Sequence, residues 1–174
     1  MTGYPERLLA QALHLAERDR FRPEQANLRR AVGATYYALF HALIGASCAE
    51  LVGSGTNQRG LRALPARGYS HTEMERASRA FAQGRNGLPH GLRTILGESE
   101  ITTPLRDLAK LLQLVQEARH KADYDLTVGW QRSGVIARIT AVASCLEYLR
   151  RARTANDLRI YLVSILVWNR ISNR

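Results

Sequence analysis

Between Ala31 and Ala49 the chain carries no formal charge, and this run decides most of what it can fold into. Within LRRAVGATYYALFHALIGASCAEL, residues Leu28 to Leu51, Val32, Tyr36, Leu39 and Leu43 recur at helical spacing and make one stripe. Tyr37, Phe40, Ile44 and Cys48 make a second. Ala34, Ala38, Ala42 and Ala46 run between them, where a neighbouring helix can approach closely. A helix apolar on most sides is a buried one. A bilayer span, which needs about 20 apolar residues, is the competing reading. His41, Tyr36, Tyr37, Thr35 and two glycines dilute the run. The stretch is therefore read as the central helix of a soluble helical bundle, with no membrane role.

The flanking sequence reads as further helices. Pro5 suits a first helical turn. Residues 5 to about 20 place Leu8, Leu9, Ala12, Leu15 and Ala16 on one stripe and leave Glu6, Glu17, Arg18, Asp19 and Arg20 solvated. Pro23 opens the central helix, which ends near Gly53. Gly53 to Ser70 is a glycine-rich connector. Its GSGTNQRG looks like a phosphate cradle but lacks the Gly-Lys-Ser/Thr ending that holds phosphate and magnesium. Ser70 and Glu73 have capping-box spacing, so a helix starts at His71 and runs to about Gln83, closed by Gly84. Gly84 to Thr103 is a second irregular stretch, and long loops in a compact domain are functional or mobile.

Thr103 before Pro104 starts the next helix, with Leu105, Leu108, Leu111, Leu112, Val115 and Ala118 inward. After a break at Leu126 to Gly129, a helix from about Trp130 to Arg153 turns Val135, Ile139, Val142, Leu146 and Leu149 inward. Thr154 and Asp157 repeat the capping-box spacing, and Leu158 to Trp168 is almost wholly apolar. The expected fold is all-α, an up-and-down bundle of five to six helices. Residues 1–153 form the bundle, and 154–174 form an apolar C-terminal helix packed on it or on a partner.

Charge narrows the function classes. The formal net charge is +10 and the sequence pI about 10.4, nearly all of it arginine. Such a surface favours polyanions, either nucleic acid or an acidic protein. The arginines are scattered rather than run together, so a compositional bias without a ligand is the alternative. Cys48 and Cys145 sit inside apolar helical patterns and read as reduced core residues, which places the chain in the cytoplasm. MTGYPERLLAQ has no basic region followed by an apolar one, so no signal peptide is expected.

No HExxH, paired CxxC or GxSxG occurs, and the five histidines show no metal-ligand spacing. No metal and no cofactor is expected. The informative polar stretch is EARHKADYD, Glu117 to Asp125. Arg119 and Asp123 are four apart and can pair, a surface contact worth at most about 1 kcal/mol. The functional alternative leaves Arg119 to meet a phosphate bidentately, with His120 beside it to move a proton. His41 and Tyr37 share a helix face, as satisfied core groups or as members of the Arg119 site. His71 opens a helix, as a surface residue or a ligand contact.

LRRAVGATYYALFHAL, then GYSHTEM, then ARHKADYD, in this order and spacing, resemble the HEPN-domain family across roughly residues 5 to 150. These are small prokaryotic helical-bundle proteins, often encoded beside a minimal nucleotidyltransferase. The resemblance implies a homodimer. It also implies a metal-independent ribonuclease site at the dimer interface, made by an arginine and a histidine a few residues further on. The arginine falls on Arg119. The histidine position falls at Tyr124, Asp125 or Leu126, so this chain departs from the pattern there. A phenol, which ordinarily loses its proton only near pH ~10, is a poor proton shuttle at neutral pH.

The first reading is therefore an RNA- or nucleotide-binding module, the toxin-like half of a toxin–antitoxin or defence pair with a nucleotidyltransferase-type partner. Its binding residues are Arg119, Asp123, Tyr124, Tyr37 and His71. The alternatives are an active ribonuclease using Arg119 with His120 or His41, and a non-catalytic protein-interaction module that docks through its C-terminal segment.

Overall fold

A computed structural model describes residues 3–19 and 21–172. Expectations touching Met1, Thr2, Arg20, Asn173 and Arg174 lie outside the described residues. The regular elements among those residues are all helical, with no strand. The α-helices are α1 (Tyr4–Glu17), α2 (Gln25–Val52), α3 (Ala63–Ala66), α4 (His71–Ala82), α5 (His90–Leu96), α6 (Thr103–Tyr124), α7 (Arg132–Arg151) and α8 (Asn156–Ser172). The count exceeds the expected five to six because both stretches read as irregular contain a short helix and a 3-10 turn. α3 and α5 are each too short to show a stripe, and Pro65 sits inside α3.

The chain divides into two compact units, Met1–Ala42 with Leu111–Glu147, and Leu43–Lys110 with Tyr148–Arg174. Helices α2, α6 and α7 each contribute to both.

In the first unit the α2 stripe of Val32, Tyr36 and Leu39 is fully buried, as are Leu112, Val115, Val135 and Val142. The second α2 stripe is not enclosed, since Tyr37 is half-buried. On α1, Leu9, Ala12 and Ala16 are buried while Leu8 and Leu15 stay half-exposed.

Side chains at the helix ends tie the connections of this unit. The Asp19 carboxylate accepts from Glu24 N at 3.1 Å and from Asn27 Nδ2 at 2.8 Å. The Gln25 amide donates to Trp130 O at 2.9 Å and accepts from Trp130 N at 2.8 Å. Arg29 donates to the carbonyls of Ala122 (2.9 Å), Asp125 (2.9 Å) and Val128 (2.7 Å). Arg132 donates to Ala16 O at 3.1 Å and to Asp19 O. The last carbonyls of a helix have no partner inside it, and these guanidinium groups supply one for α6 and α1. The break between α6 and α7 is longer than expected, running through Gln131, because Gln25 holds Trp130 outside the helix.

In the second unit Ser70 caps α4, accepting from Glu73 N at 3.2 Å, as the sequence spacing predicts. Gly84 follows with φ +79°, a conformation that favours glycine. α8 packs against α4. Tyr161 meets Phe81 edge to face at 5.1 Å, and its hydroxyl lies 2.8 Å from Ser78 Oγ. Leu158, Leu162, Ile165 and Trp168 are buried with it, so the C-terminal apolar segment helps form the core of this unit.

The capping box expected at Thr154 does not form. Asp157 is 5% exposed and its carboxylate accepts from Thr102 N and Leu158 N, both at 2.9 Å, so it is committed elsewhere. The Tyr69 hydroxyl donates to Ser47 Oγ, which donates to Leu162 O. Cys48 is buried, whereas Cys145, expected in the core, is half-buried, and neither is in a disulfide. In the glycine-rich connector Arg62 donates to Gly53 O (2.9 Å) and Gly55 O (3.1 Å). That backbone thus turns carbonyls toward a cation.

Among the described helices only α2 is long and apolar enough to cross a bilayer. Of its most apolar window, 56% is buried within the protein, as a core helix requires.

Candidate functional site

One face of α2 and one of α6 meet α1 in the first unit. Arg30, Gly33, Ala34 and Tyr37 follow each other at helical spacing, so they share a face of α2. Leu8, Gln11 and Leu15 do the same on α1. With Arg29, and with Arg119 and Asp123 of α6, they line a cleft of about 690 Å³. Small-molecule sites span roughly 300–1,000 Å³, so the volume suits a small organic anion.

Arg119 is the charged centre of this cleft. Its side chain is 23% exposed. The guanidinium carbon lies 5.5 Å from the Tyr37 ring centroid and 5.9 Å from that of Tyr36, within cation–π range. Nε is 2.7 Å from Asp123 Oδ2. The Nε–H does not aim at that oxygen, so the pair is a charge contact without a hydrogen bond at Nε.

The pair does little for the helix. Arg before Asp is the weaker order at this spacing, and an acid in the last turn opposes the helix dipole. With both groups partly exposed, its contribution is at most about 0.5 kcal/mol. Arg30 is exposed at the rim and makes no hydrogen bond or ion pair among the described residues. Arg29 keeps α6 and its following turn in place through the carbonyl bonds above, and so holds Arg119 at the cleft.

The other expected residues are placed around or away from this centre. His41 stacks on Tyr37 at 6.2 Å and meets Tyr4 edge-on at 5.1 Å. Burial pushes its imidazole below the ordinary histidine range. Arg119 and His41 thus both contact the Tyr37 ring, but His41 does not line the cleft. His120 and Tyr124 pack on each other at 5.0 Å, outside the cleft lining, and both are exposed. The proton-moving and base-stacking roles expected beside Arg119 therefore fall to residues the fold turns toward solvent. His71 is the first residue of α4 in the second unit and takes no part in the lining. Among the described residues no cluster of His, Cys, Asp or Glu is placed to hold a metal ion.

Sequence reasoning missed Arg29, Arg30 and Gly33. The available signal was an interior helical glycine one turn after an arginine and one turn before a tyrosine.

No family model, curated protein or solved structure matches this chain.

Proposed function

We propose that the chain is a HEPN-like module that binds RNA or a nucleotide through the cleft of its first unit. The observation that carries this is the convergence of Arg30 and Arg119 on one cavity beside the Tyr37 ring. Guanidinium forks match phosphate oxygens, and an aromatic face suits a base. The +10 net charge supports encounter with a polyanion. A homodimer, and pairing with a nucleotidyltransferase-type protein in a toxin–antitoxin or defence pair, belong to the same reading. Binding is favoured over cleavage, because His120 and His41 lie outside the cleft lining.

The test is affinity for single-stranded RNA and for ATP across a salt series. A phosphate seated at both arginines gives a slope of log K against log salt of about −0.7 on a single strand. Arg119→Ala should flatten it and weaken binding irrespective of sequence. No binding of either ligand at low salt refutes the reading.

A further inference from the structure

Gly33 sits inside α2, where glycine costs about 1 kcal/mol against alanine. Two ordinary reasons for such a glycine fail here. It is not among the glycines with positive φ. A Cβ built on it would meet nothing within 4 Å, so no neighbour requires its absence. What the missing side chain does is leave bare backbone in the cleft wall, between Arg30 and Tyr37. Ala34 continues that wall, and Leu8 and Leu15 face the same cavity from α1. From Arg30 to Tyr37 the wall is about 10 Å long, at roughly 1.5 Å per residue.

The cleft is therefore basic at its rim and apolar along its floor, the Gly33–Ala34 wall, with Gln11 the polar lining residue from α1. Asp123 adds a carboxylate that only accepts hydrogen bonds. Such a group takes a hydroxyl or amino donor from a ligand and repels added phosphate charge.

On the reading that the cleft binds a nucleotide, we infer that it seats a single ribonucleotide unit bearing one phosphate. The phosphate lies at Arg30 and Arg119, and the base lies flat on the Gly33–Ala34 wall beside Tyr37. Asp123 receives a ribose hydroxyl or a base amino group and disfavours polyphosphate.

The test titrates the full chain with AMP, ATP and inorganic phosphate at low salt. Gly33→Leu fills the floor with a good helix former. It is expected to keep or raise Tm, to lose at least about tenfold in AMP affinity, and to keep its phosphate affinity. Should Gly33→Leu fail to fold, Gly33→Ala adds one methyl where no atom stands within 4 Å, and an AMP loss of about threefold is expected. Asp123→Asn is expected to raise ATP affinity relative to AMP. Wild-type AMP affinity in a folded Gly33→Leu, or in Gly33→Ala where that is the variant used, overturns the base seat alone. An ATP-to-AMP ratio unchanged in Asp123→Asn overturns the single-phosphate assignment. A wild-type chain that binds neither AMP nor phosphate overturns the nucleotide reading and this inference together, whereas phosphate binding without AMP binding overturns only the latter.

Discussion

Replacing Arg29 by methionine keeps the apolar stem and removes the fork that ties α2 to the end of α6. Three donor–acceptor distances between 2.7 and 2.9 Å reach the carbonyls of Ala122, Asp125 and Val128, with a longer contact of 3.4 Å to Lys121 O. A hydrogen bond from a charged donor contributes about 1.5–3 kcal/mol. Arg29 is half-buried, so water partly replaces the lost donors, and about 1 kcal/mol for each of the three good bonds is the better figure. The sum is about 3 kcal/mol, a large share of the roughly 5–15 kcal/mol that typically holds a domain together.

The loss should be local as well as global. The freed carbonyls lie in the last turn of α6 (Ala122) and in the turn that follows it (Asp125, Val128), so amides of residues 119–125 should lose hydrogen-exchange protection first. Urea unfolding of wild type and Arg29→Met at matched slopes measures the first effect, and native-state exchange measures the second. Arg29→Lys keeps the charge but offers no planar fork, and should recover less than half of the loss. A destabilisation below about 1 kcal/mol, or full recovery by lysine, would show that the carbonyl tie is not what fixes this helix end.

Three further outcomes follow from contacts already described. Burial holds the His41 imidazole below its usual 6.5. The unfolded chain therefore binds a proton in the window just below 6.5 that the folded chain does not. The stability associated with His41 is complete above that window and declines as pH falls through it. His41→Gln should flatten the decline in Tm on acidification, and an unchanged slope would mean the ring is not the group responsible. Tyr69→Phe removes the donor to buried Ser47 and should cost about 1 kcal/mol; Ser47→Ala on that background should then cost less than it does alone, and strict additivity would contradict the coupling. Asp123→Asn relieves an acid at a helix C-terminus and should leave stability within about 0.5 kcal/mol of wild type; a loss of about 2 kcal/mol or more in urea would make the Arg119 pair structural.

The all-helical character and the long α2, α6 and α7 were legible because their stripes repeat over several turns, and α4 because its capping residues mark its start. Val32, Tyr36, Leu39 and Leu43 give a period that only a buried helix face satisfies, and Ser70 with Glu73 marks a start that the backbone obeys. The short helices were not legible, since Ala63–Ala66 and His90–Leu96 hold too few residues for any periodicity. At Ser70 the hydroxyl takes Glu73 N as the spacing predicts, whereas at Thr154 the helix starts only at Asn156 and the Asp157 carboxylate goes to Thr102 N and Leu158 N. At the cleft, Arg119, Asp123 and Tyr37 could be picked out by residue type. Arg30 and Gly33 could not, because what they offer is a bare rim and an empty floor. Those properties exist only once α1 stands opposite.

The guanidinium groups of Arg29, Arg62, Arg85 and Arg132 all end on backbone carbonyls. Carbonyls are neutral, so these bonds themselves cancel no charge, although the Asp19 carboxylate feels Arg132 and the Asp125 carboxylate feels Arg29; part of the +10 is the by-product of fastening helix ends and turns. The formal charge therefore overstates how many cations are at liberty to recruit a polyanion. It also gives a reason for the scarcity of lysine, with only Lys110 and Lys121 in the whole chain. An ammonium would preserve the isoelectric point and lose the planar grip. Wholesale conversion of these four arginines to lysine should leave electrophoretic mobility almost untouched while the helix ends come undone.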